Sequence, residues 1–168
     1  MGSNGSIYQD STTFYKYHYK YDGSSWTSVS TLPYNFYSGD ATVYNNEIHL
    51  LGSSYSDSYS KYHCKWDGST WTSVSTLPYN FHSSSVVVYN EYIHILGTAA
   101  MSSNITSYYS DRHYKYGNSS YERCDNMPYE FQGSSAVVFN NYIHLLGSSV
   151  EGERTKHYII EKESFKKV

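Results

Sequence analysis

Eight histidines are the residues of this 168-residue chain best equipped for acid-base or metal chemistry. Seven of them form two series, His49, His94 and His144 in one and His18, His63, His113 and His157 in the other. Successive members of each stand 44 to 50 residues apart. A metal site gathers its ligands within ~2 Å of one ion, whereas equivalent places in successive repeats are carried apart by the fold. The spacing therefore predicts packing histidines with hydrogen-bonded rings, and no metal or other cofactor. The two series are also placed to meet pairwise across neighbouring strands. Cys64 and Cys124 are too few for a disulfide framework. They stand where the repeat register otherwise puts Tyr19 and Val29, so reduced, inert thiols inside strands are expected. No paired carboxylates recur in a common loop, and no Ser-His-Asp spacing stands out from a background of 30 serines. A non-enzymatic protein is the expectation. Asn104-Ile105-Thr106 matches a glycosylation sequon, a weak signal in so Ser/Thr/Asn-rich a chain.

The elements that hold these residues are set by repetition. Asp22 to Phe36 reads DGSSWTSVSTLPYNF and Asp67 to Phe81 reads DGSTWTSVSTLPYNF, with a drifted third copy around Met127-Pro128-Tyr129-Glu130-Phe131. Pro33, Pro78 and Pro128 are separated by 45 and then 50 residues, the same intervals as the histidines. Periods of this length mark propeller blades or helical arrays. Strand chemistry selects the former. Each repeat holds a β-branched run (Ala41 to Tyr44, Val86 to Tyr89, Ala136 to Phe139), a two-residue polar turn, then Ile48-His49-Leu50-Leu51-Gly52 or its equivalent, which reads as a β-hairpin. A second hairpin turns through Asp22-Gly23-Ser24-Ser25 between a Tyr-rich strand and one opened by Trp26. The prediction is all-β, with four short antiparallel strands, a to d, in each repeat.

In these features the sequence resembles the kelch repeats: the β-branched first strand, the Ile-His-Leu-Leu-Gly second strand, the Tyr-rich third, the Trp opening the fourth, and Leu-Pro between repeats. It departs from them where Ser or Thr follows Gly52, Gly97 and Gly147. The resemblance implies a β-propeller and gives Trp26, Trp71 and Tyr121 a blade-packing role. A weaker resemblance of style links the chain to kelch-type repeats of phage-tail and prophage-associated bacterial proteins.

Residues 1-15 read as a lead-in and 16-168 as the propeller segment, with repeats at about 16-60, 61-110 and 111-158 and degenerate strands to 168. The chain opens in a c-d hairpin and continues through three a-b-c-d sets. The last c-d pair, His157 to Val168, aligns without gaps on His18 to Val29, and nine of the eighteen residues from Glu151 onward are charged. A short amphipathic helix is the second reading of that tail. Propellers close with typically four to eight blades. Three blades are therefore expected to close into a six-bladed ring by dimerisation, the N-terminal hairpin of one copy completing the blade begun by Gly133 to Gly147 of the other and displacing its divergent tail, unless the chain belongs to a longer array.

Net charge is −3, which leaves no electrostatic footprint for nucleic acid. No apolar run reaches the ~18 residues of a membrane-spanning helix, and no signal peptide is legible. The remaining signal is loop variation. The b-c and d-a loops share one face and differ between repeats, while the a-b and c-d turns opposite are monotonous. Recognition is expected on the variable face, at Tyr37, Asp40, Tyr55, Tyr59, His82, Tyr108, Tyr109 and Gln132. With 22 Tyr among abundant Ser, such a surface suits a glycan or protein partner. The alternatives are an enzyme acting on a sugar or small molecule at a central channel and a self-assembling scaffold.

Overall fold

The computed structural model describes residues 16–53, 61–81, 85–97, 111–148, 157–161 and 164–167. Fourteen strands lie among them: β1 Tyr17–Tyr21, β2 Trp26–Thr31, β3 Asp40–Tyr44, β4 Glu47–Leu51, β5 His63–Trp66, β6 Trp71–Ser73, β7 Ser85–Tyr89, β8 Tyr92–Leu96, β9 His113–Gly117, β10 Ser120–Arg123, β11 Ser135–Phe139, β12 Tyr142–Leu146, β13 His157–Glu161 and β14 Ser164–Lys167. They form one two-stranded sheet, β1-β2, and three four-stranded sheets in the orders β3-β4-β5-β6, β7-β8-β9-β10 and β11-β12-β13-β14. Every pairing is antiparallel. His157–Glu161 and Ser164–Lys167 are strands, against the second reading of a short amphipathic helix. Among the described residues no helix is long and apolar enough to cross a membrane.

The turns carry out what their residues allow. Asn45-Asn46, Asn90-Glu91 and Asn140-Asn141 have φ between 47° and 65°, the left-handed pair of a type I′ hairpin. Asn tolerates that region; Glu91 does so at some strain. In the β1-β2 and β5-β6 connections an Asp supplies the cap instead. Asp22 Oδ1 accepts from the Ser24 and Ser25 amides, both at 2.9 Å, and Asp67 Oδ1 does the same for Ser69 and Thr70 at 2.8 Å. These bonds hold both carboxyls below the usual carboxylate range.

The core lies between consecutive sheets. Leu51 of the first sheet packs with Phe81 of the β6-β7 connection and with Ile93, Ile95 and Tyr116 of the second sheet, and Val87, Tyr89 and Leu96 of the second pack with Phe131, Ile143 and Leu145 around the third. Close approach demands glycine at two junctions. Gly52 and Gly97 have φ of 65° and 70°, and a Cβ at either would overlap the carbonyl oxygen of Phe81 or Phe131. The LPY tyrosines close the same junctions, Tyr34, Tyr79 and Tyr129 donating to the carbonyls of Gly52, Gly97 and Gly147 at 3.3, 3.1 and 3.2 Å.

Candidate functional site

The two histidine series meet inside each four-stranded sheet. His49 Nδ1 lies 2.7 Å from His63 Nε2, His94 Nδ1 2.8 Å from His113 Nε2, and His144 Nδ1 2.9 Å from His157 Nε2. The third pair fixes its own tautomer. His144 Nε2 is 3.2 Å from the Phe139 carbonyl, which only accepts, so Nε2 carries the proton and Nδ1 accepts from His157. In the first sheet His63 Nε2 faces His49, and His63 Nδ1 lies 2.5 Å from the Tyr121 hydroxyl. Tyr121 belongs to the second sheet, so the chain of bonds crosses between sheets and ends near the Ser75 carbonyl, 3.2 Å from that hydroxyl. Burial, followed by the paired imidazole and a neighbouring lysine, pushes His63 and His113 down to about 3. Burial also lowers His49. These rings are neutral hydrogen-bonding struts, and among the described residues no group of three or more His, Cys, Asp or Glu stands close enough to hold a metal ion.

A second set of contacts runs forward from each sheet to the next. The Tyr44 hydroxyl donates to the Glu91 carbonyl and the Tyr89 hydroxyl to the Asn141 carbonyl, both at 2.9 Å. Asp40 Oδ2 accepts from the Val86 amide at 2.8 Å, and Ser85 Oγ accepts from the Ala136 amide at 3.1 Å. Beside the His49-His63 pair the Tyr116 ring fills the gap. Ile160 holds that register in the third sheet, and a cavity of about 70 Å³ remains beside His94 and His113.

Among the residues expected to recognise a ligand, Tyr55, Tyr59, His82, Tyr108 and Tyr109 lie outside the described residues. The other three behave differently from one another. Asp40 is turned into the fold as the clamp on Val86, and burial raises its carboxyl despite the Val86 and Ala41 amides. Gln132 is half-buried. Tyr37 is 58% exposed on a segment held in place: its amide donates to Ser53 Oγ at 3.0 Å, and that hydroxyl donates to the Asn35 carbonyl at 2.8 Å. Tyr62, on the same face at the end of the b-c loop, is also exposed and meets Tyr34 edge-on. Below it a cleft of about 240 Å³ opens between Lys61, Ser73, Val74 and Thr76. Tyr62 carried no variation signal, because only its exposure marks it.

The opposite face holds a cleft of about 340 Å³ lined by Tyr44, Asn45, Glu91, Tyr92 and Asn118. Its turns looked monotonous in sequence, yet the repeat-to-repeat stacking gathers turns from two sheets around one hollow. Cys64 is buried, and burial raises its thiol. Cys124 falls just past β10 and not within it, its amide donating to the His113 carbonyl at 3.0 Å.

No protein-family profile and no curated protein sequence matches the chain. Among solved structures it is similar to the one described as "Structure of YjhT", with a TM-score of 0.75 at 11% identity. The match takes in 91% of this chain and 52% of that one, so this chain spans about half the length of its structural neighbour.

Proposed function

We propose that the chain is a non-enzymatic binding module built as half of a kelch-like, six-bladed β-propeller, which a second copy completes, and that it recognises a glycan or protein partner on the b-c/d-a face. The observation that carries the reading is Tyr37, a broad aromatic surface displayed to solvent on a loop already fixed by Ser53. A ring carried on a backbone held in place before binding loses less entropy on contact, and it offers an apolar face for a sugar ring or side chain together with a hydroxyl. The match to about half of a longer structure supports the half-ring.

A glycan array probed with the purified protein is the first test. With a hit in hand, calorimetry of Tyr37→Ala is expected to show a loss of roughly 1 to 2 kcal/mol of binding or more, while Asn45→Ala leaves affinity unchanged. The reverse pattern would move the site to the cleft on the opposite face. That cleft supports a second reading, since its size falls near the lower end of ordinary ligand pockets and its carboxylate, amides and tyrosines are the groups that bind sugar hydroxyls.

A further inference from the structure

β1-β2 occupies the c-d place of a sheet whose a-b half is absent from the sheet. The placement is set by contacts: His18 meets Trp66 and Trp71 edge-on, with centroids 5.3 and 5.6 Å away, as His63 meets Tyr116 and Tyr121 one repeat later. Without an a-b half the hairpin lacks cover. Tyr21 is 54% exposed, whereas Tyr116 in the same register is 6% exposed, and Tyr19 and Trp26 are exposed as well.

The other end of the chain presents the complementary lack. Among the described residues no sheet follows the third on its forward face. Phe139 is 60% exposed where its counterpart Tyr89 is 9% exposed, and Leu146 is 41% exposed where Leu96 is wholly buried. If the first sheet of a second copy follows this third sheet as β7-β10 follows β3-β6, the hairpin of that copy arrives at the edge of β12. β13-β14 already sits there, with Leu146 opposite His157. Two hairpins of matching register then compete for one edge.

Turn chemistry decides between them. β1-β2 is joined through Asp22 and Gly23, with Gly23 at φ 100° and the Asp caps in place. The tail has Glu161-Lys162-Glu163-Ser164 there, with neither the Asp nor the Gly. We propose that two copies exchange hairpins: β1-β2 of each replaces β13-β14 on the other's β12, and His18 Nε2 takes the place of His157 Nε2 against His144 Nδ1. This is strand exchange of an identical element, a low-cost route to a symmetric dimer. It rests on the two-copy ring proposed above and adds the register in which the hairpin closes it, with His18 opposite Leu146 in place of His157.

Cysteines test the register, since paired Cα atoms of antiparallel strands lie within disulfide reach. Leu146→Cys chains are mixed with His18→Cys chains and oxidised, each variant alone reporting the background from Cys64 and Cys124. The expected product is a disulfide-linked pair of chains found in the mixture and not in the controls. Dimer mass with no link above background overturns the exchange and leaves the two-copy ring standing; monomer mass overturns both. In a separate chain, Leu146→Cys with His157→Cys locks the tail onto β12 without touching the hairpin. Oxidation is expected to weaken dimerisation at least tenfold, and an unchanged dimer affinity overturns the exchange.

Discussion

His63 stands between two partners, His49 Nδ1 facing its Nε2 and the Tyr121 hydroxyl facing its Nδ1, and a neutral imidazole meets both with one nitrogen donating and the other accepting. Its depressed value carries a stability consequence. The folded His63 and His113 sit at about 3 against 6.5 for an unhindered imidazole, so below 6.5 the unfolded chain binds more protons than the folded one. Their contribution is fully present above 6.5 and is lost as pH falls toward 3, amounting to about 2 kcal/mol for each ring at pH 5. Melting temperature is therefore expected to fall steeply from pH 7 to pH 4, and a flat profile over that range would refute neutral struts. Tyr121→Phe removes the hydroxyl facing His63 and is expected to cost about 1 to 3 kcal/mol in denaturant unfolding, as for a buried polar atom stripped of its partner. Sequence spacing was enough to predict that the histidines pack and that the b and c series pair. The Tyr121 bond and the Asp40 clamp were not legible, because each depends on how far one sheet is displaced from the next, and strand patterning carries no such distance.

At the scale of the element, the type I′ turns and the glycine junctions decide how closely the sheets assemble. Glu91 is the one member of the three a-b turns' second positions that is not Asn, and it adopts φ 65°. Glu91→Asn is expected to stabilise the fold by about 0.5 to 1 kcal/mol through relief of left-handed strain. A loss of stability on that change would show that the Glu91 side chain contributes contacts the turn geometry does not reveal. Gly97→Ala should act in the opposite sense and severely, because the methyl group meets the Phe131 carbonyl while φ stays at 70°. Both hairpins of the repeat were readable from alternation and turn residues. The C-terminal strands were less so, since the drift to EKES at their turn left an amphipathic helix open as a reading.

For the whole molecule, the first and second sheets each hold the next by a repeated set of contacts, and among the described residues the third sheet's counterparts are unused. Phe139 holds the place of Tyr44 and Tyr89, which clamp the following sheet, yet it is exposed. Because it is already in solvent, Phe139→Lys is expected to change chain stability by no more than about 0.5 kcal/mol. The same substitution should weaken self-association at least tenfold, and equal dimer affinity for both proteins would place the interface elsewhere. Repeat counting anticipated one lone hairpin followed by three four-stranded sets; that the hairpin and the third sheet expose aromatic surface at positions buried elsewhere among the described residues required the stacking of sheets to be seen. The account therefore turns on the mass of the protein in solution. Light scattering after gel filtration at micromolar concentration is predicted to give about twice the 19.3 kDa chain mass, whereas a stable, folded species at the mass of a single chain would contradict it.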